Sequence, residues 1–450
     1  MRIIFEFISL LQGMSEDLPN IILFTNHDIG DHFSCYGGQL PTPNIDALAE
    51  KGVTFENNFC TAPQCSPSRG SILTGKMPHV NGLMGLTNLA WDLPENNKTI
   101  PKMLKEFGYS THLIGLQHVH RDAKTVGYDT VSPRWDAPFF ARAERRRLSK
   151  FFDKVENGEI KTPFYCDVGF FETHRPYISG FTMRPSMDSV EVPEYLVDTK
   201  DVRREIAKFL GSLKEFDKRF GQIMEDLQSR SFSKETLLIY TVDHGWPFPR
   251  AKVTMYEAGL RTALIMYWPG KIEGGKKVSC LTSGVDILPT IVDLIGKELP
   301  NELNDEIQGK SLVPVLEGRK NSIRDHILAE LTYHDQGYNP VRAIRAEKWK
   351  YIRNFGPWDT QFQIANDYKN KPSANTYRQE HPEYSQDRPE EEFYNLEDDP
   401  LEQNNLAGNS EYKDIKEQMK AKLMEYMMET EDPVLDGFVP EPNKSKPLIF

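Results

Sequence analysis

The chain has 450 residues, with 54 Lys and Arg against 66 Asp and Glu, giving a formal net charge of −12. Hydrophobic residues make up 39% and charged residues 27%, the profile of an ordinary globular protein long enough for two or three structural units. The acid excess argues against nucleic acid or an anionic membrane as the main partner, because a net-negative surface gains nothing from either. No run reaches the roughly 18 to 20 uncharged apolar residues that a membrane-spanning helix needs. Met1 to Leu11 is a short apolar run broken by Glu6 with no small-residue cleavage site after it, so the cytoplasm is the expected compartment. Five cysteines (Cys35, Cys60, Cys65, Cys166, Cys280), sparse and without C-x-x-C spacing, argue against a disulfide scaffold or a structural zinc site.

In chain order, apolar runs alternate with helical patterns. Asn20 to Thr25, Thr111 to Leu116, Phe164 to Phe171, Thr236 to Val242 and Thr262 to Trp268 read as strands covered on both faces, since they are almost continuously hydrophobic. The clearest helix spans about Asp201 to Leu227, with Val202, Ile206, Phe209, Leu213, Phe216, Phe220, Ile223, Met224 and Leu227 on one stripe. Such alternation predicts an α/β fold with a large, mainly parallel central sheet flanked by helices. After about Arg324 the pattern changes. Val341 to Phe355 alternates apolar and polar residues, as a half-exposed antiparallel pair does, and a last amphipathic helix is expected over about Ser410 to Met428. Between them, Gly356 to Glu392 is a long polar stretch carrying Trp358, Tyr368, Tyr377, His381 and Tyr384, of a length that is often functional. The expected division is residues 15–325, a catalytic α/β domain, and 326–450, a smaller α+β domain with an antiparallel sheet.

Two groups of residues could carry chemistry. The first is "APQCSPSRGSILTG" (Ala62 to Gly75), where Cys65 and Arg69 stand at the opening of a helix whose positive end favours an anion. An isolated cysteine before a proline is ordinarily structural; here the fixed spacing to Pro67, Ser68 and Arg69 favours function. The second is a pair of acid and histidine clusters, His27 with Asp28 and Asp243 with His244, each just past a predicted strand, where open α/β sheets bind ligands. Taken singly these residues are ordinarily caps or surface polar groups. As a set they form a credible divalent-cation site. The basic run Arg145, Arg146, Arg147 reads as a solvated helix face.

C-x-P-S-R followed by L-T-G resembles the signature of the sulfatase family, in the alkaline-phosphatase-like superfamily. The resemblance runs from about Pro19 to Ala407 and includes "TPNIDALAEKGVTF", "PRAKVTMYEAGLRTALI" and "EEFYNLEDDPLEQNNLA". "DHGWPFP", "THRP" and "NGLMGL" look nearest to the heparan N-sulfatase group. The resemblance implies that a maturation enzyme oxidises Cys65 to formylglycine, whose hydrate is the nucleophile. It implies that Arg69 steadies the diol, that Lys252 contacts the sulfate oxygens, and that His174 or His118 protonates the leaving group. It also implies calcium at Asp28, Asp243 and His244. His27 departs from the family's first aspartate, and imidazole suits manganese, zinc or iron better than calcium. Leu116 departs from the family's lysine in the segment "LIGLQHVH", which leaves a cation to be supplied from elsewhere, such as Arg175. His334 and Arg342 are candidate substrate contacts from the smaller domain.

The implied activity is a metal-dependent hydrolysis of a sulfate ester or sulfamate, with a sulfated saccharide as substrate. Two alternatives stand beside it: a phosphonate monoester or phosphodiester hydrolase of the same superfamily, and a non-catalytic protein that binds sulfated sugars, which Leu116 and His27 motivate.

Overall fold

The computed structural model describes residues 18–133, 140–178, 180–304, 306–335, 337–356, 364–382 and 388–442. The Met1 to Leu11 segment, Trp358 and Tyr384 lie outside them. Among the described residues no helix is long and apolar enough to cross a membrane.

The apolar runs form the sheet expected of them. Strand β1 (Asn20–Asn26) and strand β6 (Thr236–Val242) are buried along their whole length and pair in parallel, from Asn20 with Thr236 to Asn26 with Val242. On the other side of β1 lies β5 (Phe164–Gly169), then β3 (Ser110–Gly115) and β4 (Thr130–Pro133), all parallel. Side chains of β1 alternate between two cores, as a period of two requires. Ile22 and Phe24 pack with α5 (Phe140–Glu156) and α6 (Lys200–Gln228), through Phe151, Phe152, Phe216 and Phe220. Ile21 and Leu23 belong to the opposite layer, built on Ile72, Met103, Leu104, Leu288 and Ile291.

The sheet has nine strands in the order β4-β3-β5-β1-β6-β8-β2-β7, with β9 (Lys276–Ser283) also paired to β2 (Val53–Phe59). It is mostly parallel. The run Thr262 to Trp268 divides into β7 (Arg261–Thr262) and β8 (Leu264–Tyr267), and β8 is antiparallel to both β6 and β2. Continuous hydrophobicity reports burial on two faces, not strand direction.

A second, four-stranded antiparallel sheet follows, in the order β10 (His326–His334), β11 (Gly337–Ala346), β12 (Trp349–Asn354), β13 (Glu391–Asn395). One face is covered by α10 (Lys413–Glu429) through Met419, Leu423 and Met427. The other packs on the first unit, where Ile327, Leu331, Val341 and Ile352 meet Phe59, Met255 and Leu260. The polar stretch before β13 is not wholly loop: Pro372 opens a helix, α9 (Pro372–Glu380), at a position where its missing N–H costs nothing. The arginine run lies on α5, where Arg146 is exposed and Arg147 pairs with Glu144.

Candidate active site

Four neighbouring parallel strands end on one rim of the sheet, and each delivers residues to the same place. His27 and Asp28 follow β1, Asp243 and His244 follow β6, His174 lies past β5 and His118 past β3. Backbone bonds lock these loops together: His27 N–H donates to Glu172 O at 3.2 Å, Thr173 N–H to His27 O at 2.7 Å, and Asp243 N–H to Asn26 O at 3.1 Å. Helix α2 (Cys65–Thr74) points its N-terminus into the rim; all ten residues are buried and its first turn holds no acid. Its free N–H groups and dipole therefore face the cluster uncompensated. Gly245 keeps the loop after β6 close to its neighbour, since a Cβ there would lie 1.9 Å from Ala258 O.

Atoms of His27, Asp28, Cys65 and His244, all buried, lie within 4.8 Å of one another. His244 Nδ1–H donates to Gly245 O at 2.9 Å, which directs Nε2 at Asp28 Oδ1 (3.0 Å) and Cys65 Sγ (3.4 Å). His27 Nδ1 is 2.8 Å from Asp28 Oδ1 and 3.4 Å from Asp243 Oδ2. Asp243 Oδ1 accepts from the backbone N–H groups of Asp28 (3.0 Å) and His244 (2.9 Å), while Oδ2 accepts from Arg69 Nε at 2.9 Å. Arg69 also donates to the carbonyls of Leu116 (3.2 Å) and Asn26 (3.3 Å). Lys252 Nζ donates to both oxygens of Asp28, at 3.0 and 3.2 Å.

Electrostatics follow from this crowding of buried charge. Burial alone would lift the Asp28 carboxyl, but Lys252, His27 and His244 hold it well below the usual carboxylate range. The Cys65 thiol, which burial would raise, is drawn well down by the same three cations. Burial would lower the two histidines; Asp243, Cys65 and Asp28 instead raise His27 to about 9, and Asp243 and Asp28 carry His244 well above its ordinary value. The carboxylates thus demand positive charge at their centre, and Gly245 O, by accepting from Nδ1–H of His244, turns Nε2 toward them, where a cation that displaces the Nε2 proton would be ligated, as second-shell bonds commonly arrange. This donor set fits a divalent cation.

His174 behaves differently. Burial pushes it down to about 4, against the attraction of Asp28, and its Nδ1–H donates to Arg175 O at 2.7 Å. Its Nε2 therefore faces outward as an acceptor. His118 adjoins the Cys65 thiol, and its Nδ1 is buried with no hydrogen-bond partner among the described residues. Asp28, His118 and Val253 all have positive φ (56°, 55° and 66°), so backbone strain gathers here, as at many functional sites.

The smaller sheet supplies His334, which is buried with Nδ1 3.1 Å from Gln64 Oε1, beside Cys65. Arg342 is not brought to the cluster. Its guanidinium spans both oxygens of Asp432 (2.5 and 2.8 Å) and donates to Leu331 O, inside a buried network with Glu330 and His79. Arg175 ion-pairs with Glu205 at 2.5 Å and lies over the rings of Tyr177 and Phe248. One residue escaped the sequence reading. Asp367 Oδ2 accepts from Lys252 Nζ at 3.2 Å and lies 3.9 Å from His174 Nε2. It sits in the long polar stretch whose aromatic residues drew attention instead.

A buried acid, histidine and thiol cluster flanked by an arginine and a lysine, on this rim of this sheet, defines an anion-ester hydrolase. The family profile described as Sulfatase matches residues 19–297, more than half of the chain, and the chain belongs to the sulfatase family of sulfuric ester hydrolases. A second profile, N-sulphoglucosamine sulphohydrolase, C-terminal, matches residues 243–386. The chain is 27% identical to an ulvan-active sulfatase of Formosa agariphila, over 93% of its length and 82% of the relative's. It is 25% identical to human N-sulphoglucosamine sulphohydrolase, covering 94% of this chain and 93% of the other. A solved structure in complex with its substrate D-glucosamine-2-N,6-O-disulfate shares the fold, with a TM-score of 0.70 at 21% identity over 94% of this chain and all of that one.

Proposed function

We propose that this chain releases sulfate from a sulfated saccharide, as an O-sulfate or sulfamate hydrolase, with Cys65 matured to formylglycine and a divalent cation held by Asp28, His244, Asp243 and His27. In the family's manner, the hydrated aldehyde supplies a nucleophile and the cation supplies charge that favours its ionised form. The remaining work falls to this chain's side chains. Arg69 and Lys252, buried and charged, hold the sulfate oxygens in a place shielded from water, where such contacts are worth most. The N-terminus of α2 adds its dipole. With the anionic sulfate bound beside it, His174 takes up a proton from solvent at Nε2 and donates it to the leaving oxygen or nitrogen. His118 holds the nucleophilic side chain from the other side.

The observation that carries this reading is the convergence of His27, Asp28, Cys65 and His244 within 4.8 Å at the start of a helix that carries Arg69. Relatives named for ulvan and N-sulphoglucosamine support a saccharide substrate. The test is the mass of the peptide containing Cys65, from protein made where a control sulfatase is matured. An aldehyde at that position supports the proposal; an unmodified thiol beside a matured control overturns it.

The two imidazoles among the ligand candidates favour a transition metal over calcium, and with it a second reading, hydrolysis of phosphonate monoesters or phosphodiesters. Parallel assays on aryl sulfate and aryl phosphonate esters separate the two.

A further inference from the structure

Lys252 serves two carboxylates at once. Its Nζ lies 3.0 Å from Asp28 Oδ2 and 3.2 Å from Asp28 Oδ1, and 3.2 Å from Asp367 Oδ2. These contacts use the three N–H donors of an ammonium group. The Asp28 carboxylate is also what a divalent cation in the cluster of His27, Asp28 and His244 would take. A cation and an ammonium compete for one carboxylate, because like charges repel at such separations. Lys252 is buried, so an ammonium turned away from Asp28 needs a second acceptor of negative charge within the protein.

Asp367 is placed to be that acceptor. Its Oδ2 already receives a bond from Lys252, and its Oδ1 is buried with no hydrogen-bond partner among the described residues. The carboxylate therefore has acceptor capacity to spare. The segment that carries it grips Lys252 at the other end too, since the Tyr368 hydroxyl donates to Lys252 O at 3.1 Å. Tyr368 is itself buried, packed with Val253, Ala365 and Ala374. Backbone bonds fix the turn: Tyr368 N–H and Lys369 N–H donate to Ala365 O at 3.1 and 3.0 Å. Asn366 N–H donates to Asp335 Oδ2 at 2.7 Å, one residue past His334. Downstream, Ser373 at the start of α9 donates to Glu205 of α6 through N–H and Oγ, at 2.9 Å each. The fold, and not the ion pair alone, holds Asp367 against Lys252.

We propose that Asp367 is a positioning residue: when a divalent cation takes the Asp28 carboxylate, Lys252 passes its hydrogen bonds from Asp28 to Asp367 and stays at the rim where the anion is held. Without Asp367 the ammonium remains on Asp28 and opposes the cation. The inference rests on the cation proposed above and adds a residue that accommodates it.

The test is a double-mutant cycle on cation affinity, read by calorimetry on the full chain after stripping with a chelator. Ca²⁺, Mn²⁺ and Zn²⁺ are titrated in turn, and the tightest binder is carried forward. The four proteins are wild type, Asp367→Asn, Lys252→Met and the double variant. Asp367→Asn keeps the shape of the side chain and removes its charge. Where Lys252 is present it is expected to weaken cation binding about tenfold, as loss of an outer-shell partner does. In the Lys252→Met background the same change is expected to cost about twofold or less. Simple attraction between Asp367 and the cation, direct ligation by Asp367 or a damaged fold would each act alike in both backgrounds. Equal losses in the two backgrounds, or no loss in either, therefore overturn the inference. Failure of the underlying cation reading shows separately, as no uptake of any of the three ions by the wild-type chain, and takes the inference with it.

Discussion

At the scale of single residues, the buried cluster is tolerated because charge that would be prohibitive alone is mutually neutralised. Lys252 is buried, and Asp28 and Asp367 raise its pKa well above the ordinary range. Removing one such cation from a catalytic anion pocket costs about 10²- to 10³-fold in rate. Lys252→Ala is therefore expected to lower kcat on a sulfate ester by that factor, and a rate within twofold of wild type would exclude it from the chemistry. His27 is expected to be a metal ligand, so His27→Asp should shift bound metal, measured by elemental analysis, toward calcium; unchanged content removes His27 from the ligand set. Outside the site, His112 is buried against Phe151, with its nitrogens bonded to Thr130 Oγ1 and Ser110 Oγ, and burial pushes it down from 6.5 to about 4. Between those values the unfolded chain takes up a proton that the folded chain resists, so stability falls as pH drops from 6.5 toward 4. His112→Gln should flatten that part of the urea-midpoint profile. An identical slope in the variant would show that other groups set it.

At the scale of elements, the parallel strands and the ends that carry the candidate site are the most legible part. β1 and β6 are buried on both faces, so their sequences are continuous apolar runs, and the residues just past each run had to fall on the rim. The start of α2 was legible to within a turn: the Ser68 to Ser71 run marks its opening, and the helix begins three residues earlier, at Cys65. Asp367 was not, because its partner Lys252 is 115 residues away and no local pattern announces such a contact. Arg342 misled for the same reason: an arginine on an alternating strand reads as exposed, and its carboxylate, Asp432, is 90 residues on. The loop after β6 depends on Gly245, whose substitution by alanine would drive a Cβ against Ala258 O. Gly245→Ala is expected to cost about 1–3 kcal/mol of stability and to lower metal content with it. A variant with wild-type urea midpoint and metal would show that the loop shifts without consequence.

Across the whole molecule, the smaller sheet is held to the α/β unit by an apolar seam and by the buried network of His79, Glu330, Arg342 and Asp432. This network joins the short helix Pro78–Asn81 of the first unit to β10, β11 and the segment after α10. Breaking a buried ion pair from one side leaves the other charge stranded, which costs about 3–5 kcal/mol. Arg342→Ala should therefore lower the urea midpoint strongly while leaving KM for a sulfated saccharide unchanged in the protein that remains folded; a raised KM at full stability would restore it as a substrate contact. The seam matters for function because it fixes His334 beside Cys65 and leaves the polar stretch carrying Asp367 over Lys252. The central claim is that this assembly is a sulfatase acting through position 65, and one measurement tests it most directly: sulfate released from a sulfated saccharide by matured wild-type protein and by Cys65→Ala. Sulfate release by the first and none by the second, with both equally folded, is the predicted result. Equal release by both, or none by matured wild type while aryl phosphonates are cleaved, would contradict it.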